Sequence, residues 1–226
     1  MNAKTKFIVW DWNGTLLDDA EAVLFAENAI LTAFNYAPVS MEKFRALNGR
    51  PFGAFYTAVG FSEEERKHAA KDRKMFHEYY EQHPASTTMR DGSVNILRRL
   101  KTHQVMNVIV SNHITDKIIR MLRQYDIHHH VDDVIAYACH NTQMKGSTKG
   151  EKLHHHLTAT GLNPANAIII GDTVEEIEIA RELGMISVAI TGGDYAESRL
   201  REKNPDYVIH SMHELNAILE ERGFVA

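Results

Sequence analysis

FIVWDWNGTLLDD, residues 7–19, runs from four apolar side chains (Phe7, Ile8, Val9, Trp10) straight into Asp11 and the turn pair Asn13-Gly14. An apolar, β-branched and aromatic run that stops at Asn-Gly reads as a buried strand ending in a turn. Asp11 is therefore expected at the carboxyl end of a buried strand, the edge at which open α/β sheets bind ligands. Turn capping, a common use of aspartate, is the competing reading. The remaining chain has to separate the two.

Beyond Asp19 the pattern is helical. Ala22, Phe25, Ala26, Ala29, Ile30 and Ala33 recur at helix spacing as far as Tyr36, and Pro38 ends the run. Gly49 and Pro51 bend LNGRPFG, and Ser62 with Glu65 forms a capping box opening a helix to Pro84. Phe76, Tyr79 and Tyr80 are expected in the packing of this helical block. From Asp91-Gly92 onward strands and helices alternate. Strands are predicted at Val105 to Val110, Val134 to Ala138, Ala167 to Ile170, Ile186 to Ile190 and Tyr207 to Ile209. Helices are predicted around Val94, Leu97 and Leu100, from Thr115 to Tyr125, after the capping box Thr148/Glu151, after Thr173 with Glu176, and after Ser211 with Glu214. Alternation of this kind argues βαβ units and a parallel sheet. The architecture expected is a doubly wound, Rossmann-like α/β core from residues 1–18 and 86–226. A helical cap, residues 19–85, is inserted after the first strand. An insertion there leaves at the sheet's carboxyl edge and can hang over Asp11 as a lid.

Composition narrows the function classes. A chain of 226 residues with 44% hydrophobic and 24% charged residues is an ordinary globular protein. A net charge of −5 gives no basic footprint for nucleic acid. No apolar run approaches the ~20 residues that cross a bilayer. Cys139 is the single cysteine, so no intrachain disulfide can form, which suits a cytoplasmic setting. His128-His129-His130 and His154-His155-His156 resemble metal tracts, but consecutive helical residues face different directions, and surface positions are expected for both. Nothing in the sequence sets an oligomeric state.

The predicted strand ends bring polar groups to one edge: Asp11 and the Asn13 carbonyl, Ser111 and Asn112, Lys149 in the first turn of its helix, and Asp172 followed by Glu175 and Glu176. Carboxylates at neighbouring strand ends repel unless a cation joins them, and hard oxygen ligands of this kind suit Mg²⁺. A hydroxyl, a lysine and backbone N–H groups around such a cation suit a phosphoryl group. A carboxylate can serve as the nucleophile.

In this order, hhhhDxNGTLLDD, hhVSN, Lys and hhhhGDTxxE, the motifs resemble the haloacid dehalogenase superfamily of phosphohydrolases, over nearly the whole chain. The insertion is similar to the small helical cap of phosphoglycolate-phosphatase-like members. The resemblance implies Asp11 as nucleophile and magnesium ligand, the Asn13 carbonyl and Asp172 as further ligands, and Ser111 as phosphate donor. It implies a lysine, Lys149 or Lys145, that neutralises phosphate and Asp11. Thr15 and Asn112 stand beside these motifs, and Arg50 is a candidate to reach a substrate anion from the cap. The partner implied is a small phosphorylated substrate.

One position departs from the family. The residue two after the nucleophile is usually an acid/base aspartate, and here it is Asn13. General acid–base catalysis contributes about 10²–10⁴-fold. Three consequences stay open: a leaving group needing little protonation, a proton from His113 or a cap residue, or a phosphoenzyme that turns over poorly. The alternatives are therefore a catalytically weak phosphate- or partner-binding protein and a phosphonatase or phosphomutase. A dehalogenase is disfavoured by Asp172.

Overall fold

The computed structural model describes residues 5–49, 53–71, 73–139 and 147–225. β1 (Phe7–Trp10) is apolar on both faces, and all four of its side chains are fully buried. Such a strand needs neighbours on both edges and helices on both faces. It pairs in parallel with β2 (Met106–Ile114) and with β4 (Ala167–Gly171), so that Phe7 stands opposite Met106 and Ala167. β3 (Asp133–Tyr137), β5 (Ile186–Ile190) and β6 (Tyr207–Ile209) complete a six-stranded parallel sheet of order β3-β2-β1-β4-β5-β6. The expected doubly wound α/β sheet is the one observed.

Side-chain alternation along β1 sorts the core into two layers. Ile8 and Trp10 face α6 (Ser93–Thr102), α7 (Thr115–Gln124) and the last helix, α11 (Leu215–Glu221). Phe7 and Val9 face α8 (Lys149–Thr160) and α9 (Val174–Leu183). A short helix, α10 (Glu197–Glu202), absent from the sequence reading, lies between β5 and β6. No helix among the described residues is long and apolar enough to cross a membrane.

Between β1 and β2 the chain is helical: α1 (Ala20–Ala33), α2 (Met41–Leu47), α3 (Ala54–Ala58), α4 (Glu63–Lys71) and α5 (Arg73–Gln82). α1 stops earlier than Tyr36 because Asn35 turns left-handed, at φ 62°. α2 and α3 were hidden in the sequence by their brevity, although Ser40 caps α2 through Lys43 N–H. These helices share their own apolar cluster, centred on Ile30, Leu31, Phe44, Phe55, Tyr56 and Phe61. The chain leaves and re-enters the sheet side by side. Leu17 bridges Met89 in antiparallel fashion, Asp18 N donates to Thr88 O and Arg90 N donates to Leu16 O.

β2 is longer than the predicted Val105 to Val110. It runs through a register shift to Ile114, which pairs with Tyr137, so Ser111 and Asn112 lie within an irregular strand end. The same strand buries Asn107, whose Oδ1 accepts from Trp10 Nε1 at 2.9 Å while its Nδ2 donates to Leu97 O and His130 O. Asn107→Ala strands those groups in the core. It is expected to lower unfolding free energy in urea by roughly 2–4 kcal/mol, and a loss under about half a kcal/mol would contradict this account.

Candidate active site

Asp11 leaves β1 with its N–H bonded to Ile170 O, and its carboxyl group is almost wholly buried. With Trp10 opposite Ile109 on one side and Ile170 on the other, Ser111 and Asp172 each lie one residue beyond the level of Asp11 on the flanking strands. The sheet register thus brings these groups to one edge without help from the loops.

Lys149 binds the edge together. The Thr148/Glu151 capping box sets the start of α8, and Lys149, its first residue, is 3% exposed. Its Nζ donates to Asp11 Oδ1 at 2.8 Å and to Glu176 Oε1 at 2.5 Å, with Glu175 Oε2 at 3.9 Å. Asp11 Oδ1 also accepts from Trp12 N–H at 2.7 Å. The other carboxylate oxygen, Oδ2, makes no hydrogen bond among the described residues. Lys145 lies outside the described residues.

Glu176 changes its expected part. Thr173 caps α9 by accepting from Glu175 N–H, while its own hydroxyl donates to Glu176 Oε2 at 2.6 Å. The Glu176 carboxylate thus keeps one oxygen on the Thr173 hydroxyl and turns the other inward onto Lys149. Glu175 accepts from Asn112 Nδ2.

Asp172 is enclosed by short contacts. Its Oδ1 accepts from Thr15 Oγ1 at 3.0 Å and its Oδ2 from Asp194 N–H at 2.7 Å. Thr15 is fully buried, so its hydroxyl supports Asp172. Gly14 passes so close, at φ 68°, that a Cβ there would lie 2.3 Å from Asp172 Oδ2. Arg90 fixes this turn from behind, donating to the carbonyls of Gly14 and Thr15 and to Thr191 O.

The charges do not balance. Burial pushes the Asp11 carboxyl up to about 7, with Lys149 opposing the shift and Glu176 adding to it. Burial also holds Asp172 well above the usual carboxylate range, reinforced by Asp194, Asp11 and Glu176. Burial works against a charged Lys149, but Asp11, Glu176 and Glu175 outweigh it and raise its pKa. One buried lysine therefore serves more carboxylates than it can neutralise, and the excess is carried by oxygen donors. That is the donor set of a hard divalent cation.

Asn13 is held by two residues that the sequence reading did not connect to it. Its Nδ2 donates to Asp19 Oδ2 at 2.6 Å and lies 3.0 Å from Tyr80 OH, which itself donates to Asp19 Oδ2 at 2.6 Å. Gly14 N–H donates to Asp19 Oδ1. Both amide hydrogens of Asn13 are directed into this cluster. Asp19 is fully buried, and Tyr80, from α5, is nearly so. Tyr79 is instead partly exposed, edge-on to Phe25. His113 is buried near the end of β2, on the side that faces Glu81 of α5. Arg50 lies outside the described residues. His128–His130 form a tight turn at the amino edge of the sheet, far from Asp11 along the strands, and among the described residues His128 and His129 with Asp126 are an exposed group able to approach one cation. His154 and His155 are exposed on α8, and His156 leans on Asp133.

The pairing of Asn13 with a buried carboxylate has a direct consequence. Asn13→Asp would set two carboxylates within hydrogen-bond distance in a partly buried cluster, at a cost of roughly 1–3 kcal/mol. The double variant Asn13→Asp/Asp19→Asn restores an amide–carboxylate pair and recovers most of that loss in urea unfolding. Equal stability of Asn13→Asp and the parent chain would contradict the arrangement.

Residues 8–190 match the family model described as haloacid dehalogenase-like hydrolase. Phosphoglycolate phosphatase 1 of Pseudomonas aeruginosa is 23% identical, the match covering 93% of this chain and 78% of that protein. Phosphoglycolate phosphatase of Caulobacter vibrioides is 25% identical, over 90% of this chain and 86% of its own. Among solved structures, a haloacid dehalogenase-like family hydrolase from Streptococcus pneumoniae superposes with a TM-score of 0.78 at 23% identity, covering 96% of this chain and 99% of that one. With the family model matching most of its length, the chain belongs to the haloacid dehalogenase-like hydrolases.

Proposed function

We propose that this protein is a magnesium-dependent phosphatase acting on a small phosphate ester through a phosphorylated Asp11. The observation that carries the reading is the Asp11–Lys149–Glu176 cluster with Asp172 across from it. Lys149 and Trp12 N–H occupy Asp11 Oδ1, which leaves Oδ2 as the atom available to attack phosphorus. In this scheme the Asp11 Oδ2–P bond forms as the ester P–O bond breaks. Lys149 and the Ser111 hydroxyl offset charge on the phosphoryl oxygens. Water then attacks phosphorus, releasing phosphate and regenerating Asp11. Phosphoryl transfer needs chiefly such positioning and neutralisation. Phosphatases among the relatives, and the cytoplasmic setting suggested by a single cysteine, agree with this reading.

Asp11, Asp172 and the Asn13 carbonyl would hold Mg²⁺, which supplies positive charge beside the phosphoryl group. The uncompensated carboxyl groups support that assignment. The helices between β1 and β2, with the rest of residues 19–85, form the cap of this scheme and exclude water when closed. Tyr80 is then the cap's hydrogen-bonded contact with the Asp11 loop.

A second reading, a phosphate-binding protein with weak turnover, is favoured by one observation: Asn13 has no titrating group and both its N–H bonds are taken. Assay with Mg²⁺ and p-nitrophenyl phosphate, with mass spectrometry of acid-quenched protein, separates the two. The phosphatase reading expects turnover and a phosphoryl adduct, both lost in Asp11→Asn. Retained Mg²⁺ and phosphate binding with no turnover would favour the second reading.

The metal assignment also has a test that needs no substrate. A carboxyl whose folded pKa is raised contributes stability below its unfolded pKa that is lost as pH rises through the folded value. For Asp11 that window runs from the ordinary carboxyl value of 3.8 to about 7. A bound cation offsets the loss only where the carboxylates are ionised. Mg²⁺ should therefore raise the melting temperature clearly at about pH 8 and scarcely at about pH 5. A shift independent of pH, or one that survives Asp172→Asn, would count against the site.

A further inference from the structure

His128 and His129 take no part in the scheme above. α7 ends at Gln124, and the chain turns through Asp126, left-handed at φ 51°, before the tight turn His128–His130 leads to β3. Ile127, at the middle of this passage, is fully buried and joins the core layer that contains Ile8 and Trp10. Its N–H donates to Leu122 O at 2.9 Å, Asp126 N–H to Arg123 O at 3.0 Å and His130 N–H to Ile127 O at 2.9 Å. Asn107 Nδ2, from the core, also donates to His130 O at 2.9 Å. The backbone on both sides of Ile127 is therefore fixed, while Asp126, His128 and His129 project into solvent. Consecutive residues diverge on a regular helix, but this turn is not one. A carboxylate oxygen of Asp126 and one ring nitrogen each of His128 and His129 lie within 4.8 Å of one another.

We propose that Asp126, His128 and His129 form a second cation site, one for a divalent transition metal, with Zn²⁺ the best fit. Two imidazoles and one carboxylate, with water in the fourth position, are a donor set that zinc accepts, whereas Mg²⁺ takes oxygen ligands. His129 Nδ1 stands 3.9 Å from Asp126 Oδ1. That is longer than a hydrogen bond, yet within the ~4.2 Å that two zinc–ligand bonds of ~2.1 Å span end to end. Rotation of the exposed rings alone brings the donors closer, because the backbone is already in place. Of the cations that act on the neighbouring His130, Arg98 and Lys101 of α6, the second is paired with Asp132. Burial, with His129, Arg98 and Lys101 beside it, holds His130 below the usual imidazole range, which favours its neutral form. A cation here ties the end of α7 to the turn before β3. The site lies at the sheet edge opposite Asp11 and does not depend on the phosphatase reading.

Calorimetry of the full chain with Zn²⁺, in the presence of excess Mg²⁺, tests the assignment. The parent chain is expected to take up one equivalent more than His128→Gln/His129→Gln, with a Kd on the order of 10 μM. Asp126→Asn keeps a residue type that accepts the left-handed backbone, and it should weaken that equivalent by about tenfold or more. His154→Gln/His155→Gln, which removes two exposed histidines of α8, is the control and should bind as the parent does. All these positions are exposed, and circular dichroism of each variant confirms that the fold is kept. Equal uptake by the parent and His128→Gln/His129→Gln would overturn the proposal. So would an equal loss in the α8 control, which would mean that zinc is shared among surface histidines, or a Kd weaker than about 1 mM.

Discussion

A single buried ammonium holds this sheet edge together. Lys149 sits between Asp11 and Glu176 with Glu175 close by, and the buried carboxyl of Asp172 lies beside them. Leaving one member of a buried charge set unpaired is strongly destabilising, so the neighbouring elements are tied to one another through this residue. α8 must start where its capping box puts it. α9 must turn Glu176 inward, and β1 must end at Asp11. The excess of carboxylate over cation among the described residues is the observation on which the proposed Mg²⁺ assignment rests.

Arginine does the complementary work on the backbone. Arg90 gathers the carbonyls of Gly14, Thr15 and Thr191, and Arg45 and Arg199 gather those of the loop after β5 and the end of α2. A planar fork of donors suits several carbonyls at once. The glycine-rich turns that approach Asp172 closely have few side chains to fix them, and these guanidinium groups take that role.

Much of this was legible in the chain. Phe7 to Trp10, Ala167 to Ile170 and the helix caps follow short-range rules of periodicity and hydrogen bonding, and the sheet order places their ends together. Lys149 could be nominated because the capping box fixed its place in the first turn. Other features depend on contacts distant in sequence. Asp19 meets Tyr80 across 61 residues, and no local pattern announces it. Asp194, whose N–H reaches Asp172, drew no reading from the sequence, although a Gly-Gly-Asp after a buried strand is the available signal. Glu176 was obscured by a sound local rule: its spacing from Thr173 imitates a capping box, but burial beside Lys149 recruits the carboxylate inward. The short helices α2 and α3 lack the length over which periodicity can be recognised.

The antiparallel bridge between Leu17 and Met89 means that the helices between β1 and β2 depart and return through neighbouring backbones. The two crossings are therefore joined at the backbone, while Tyr80 and Arg45 tie the far side of the helices to the Asp11 turn and to the loop after β5. A displacement of these helices is felt at those two turns and leaves the parallel pairing of β1 with β2 and β4 in place.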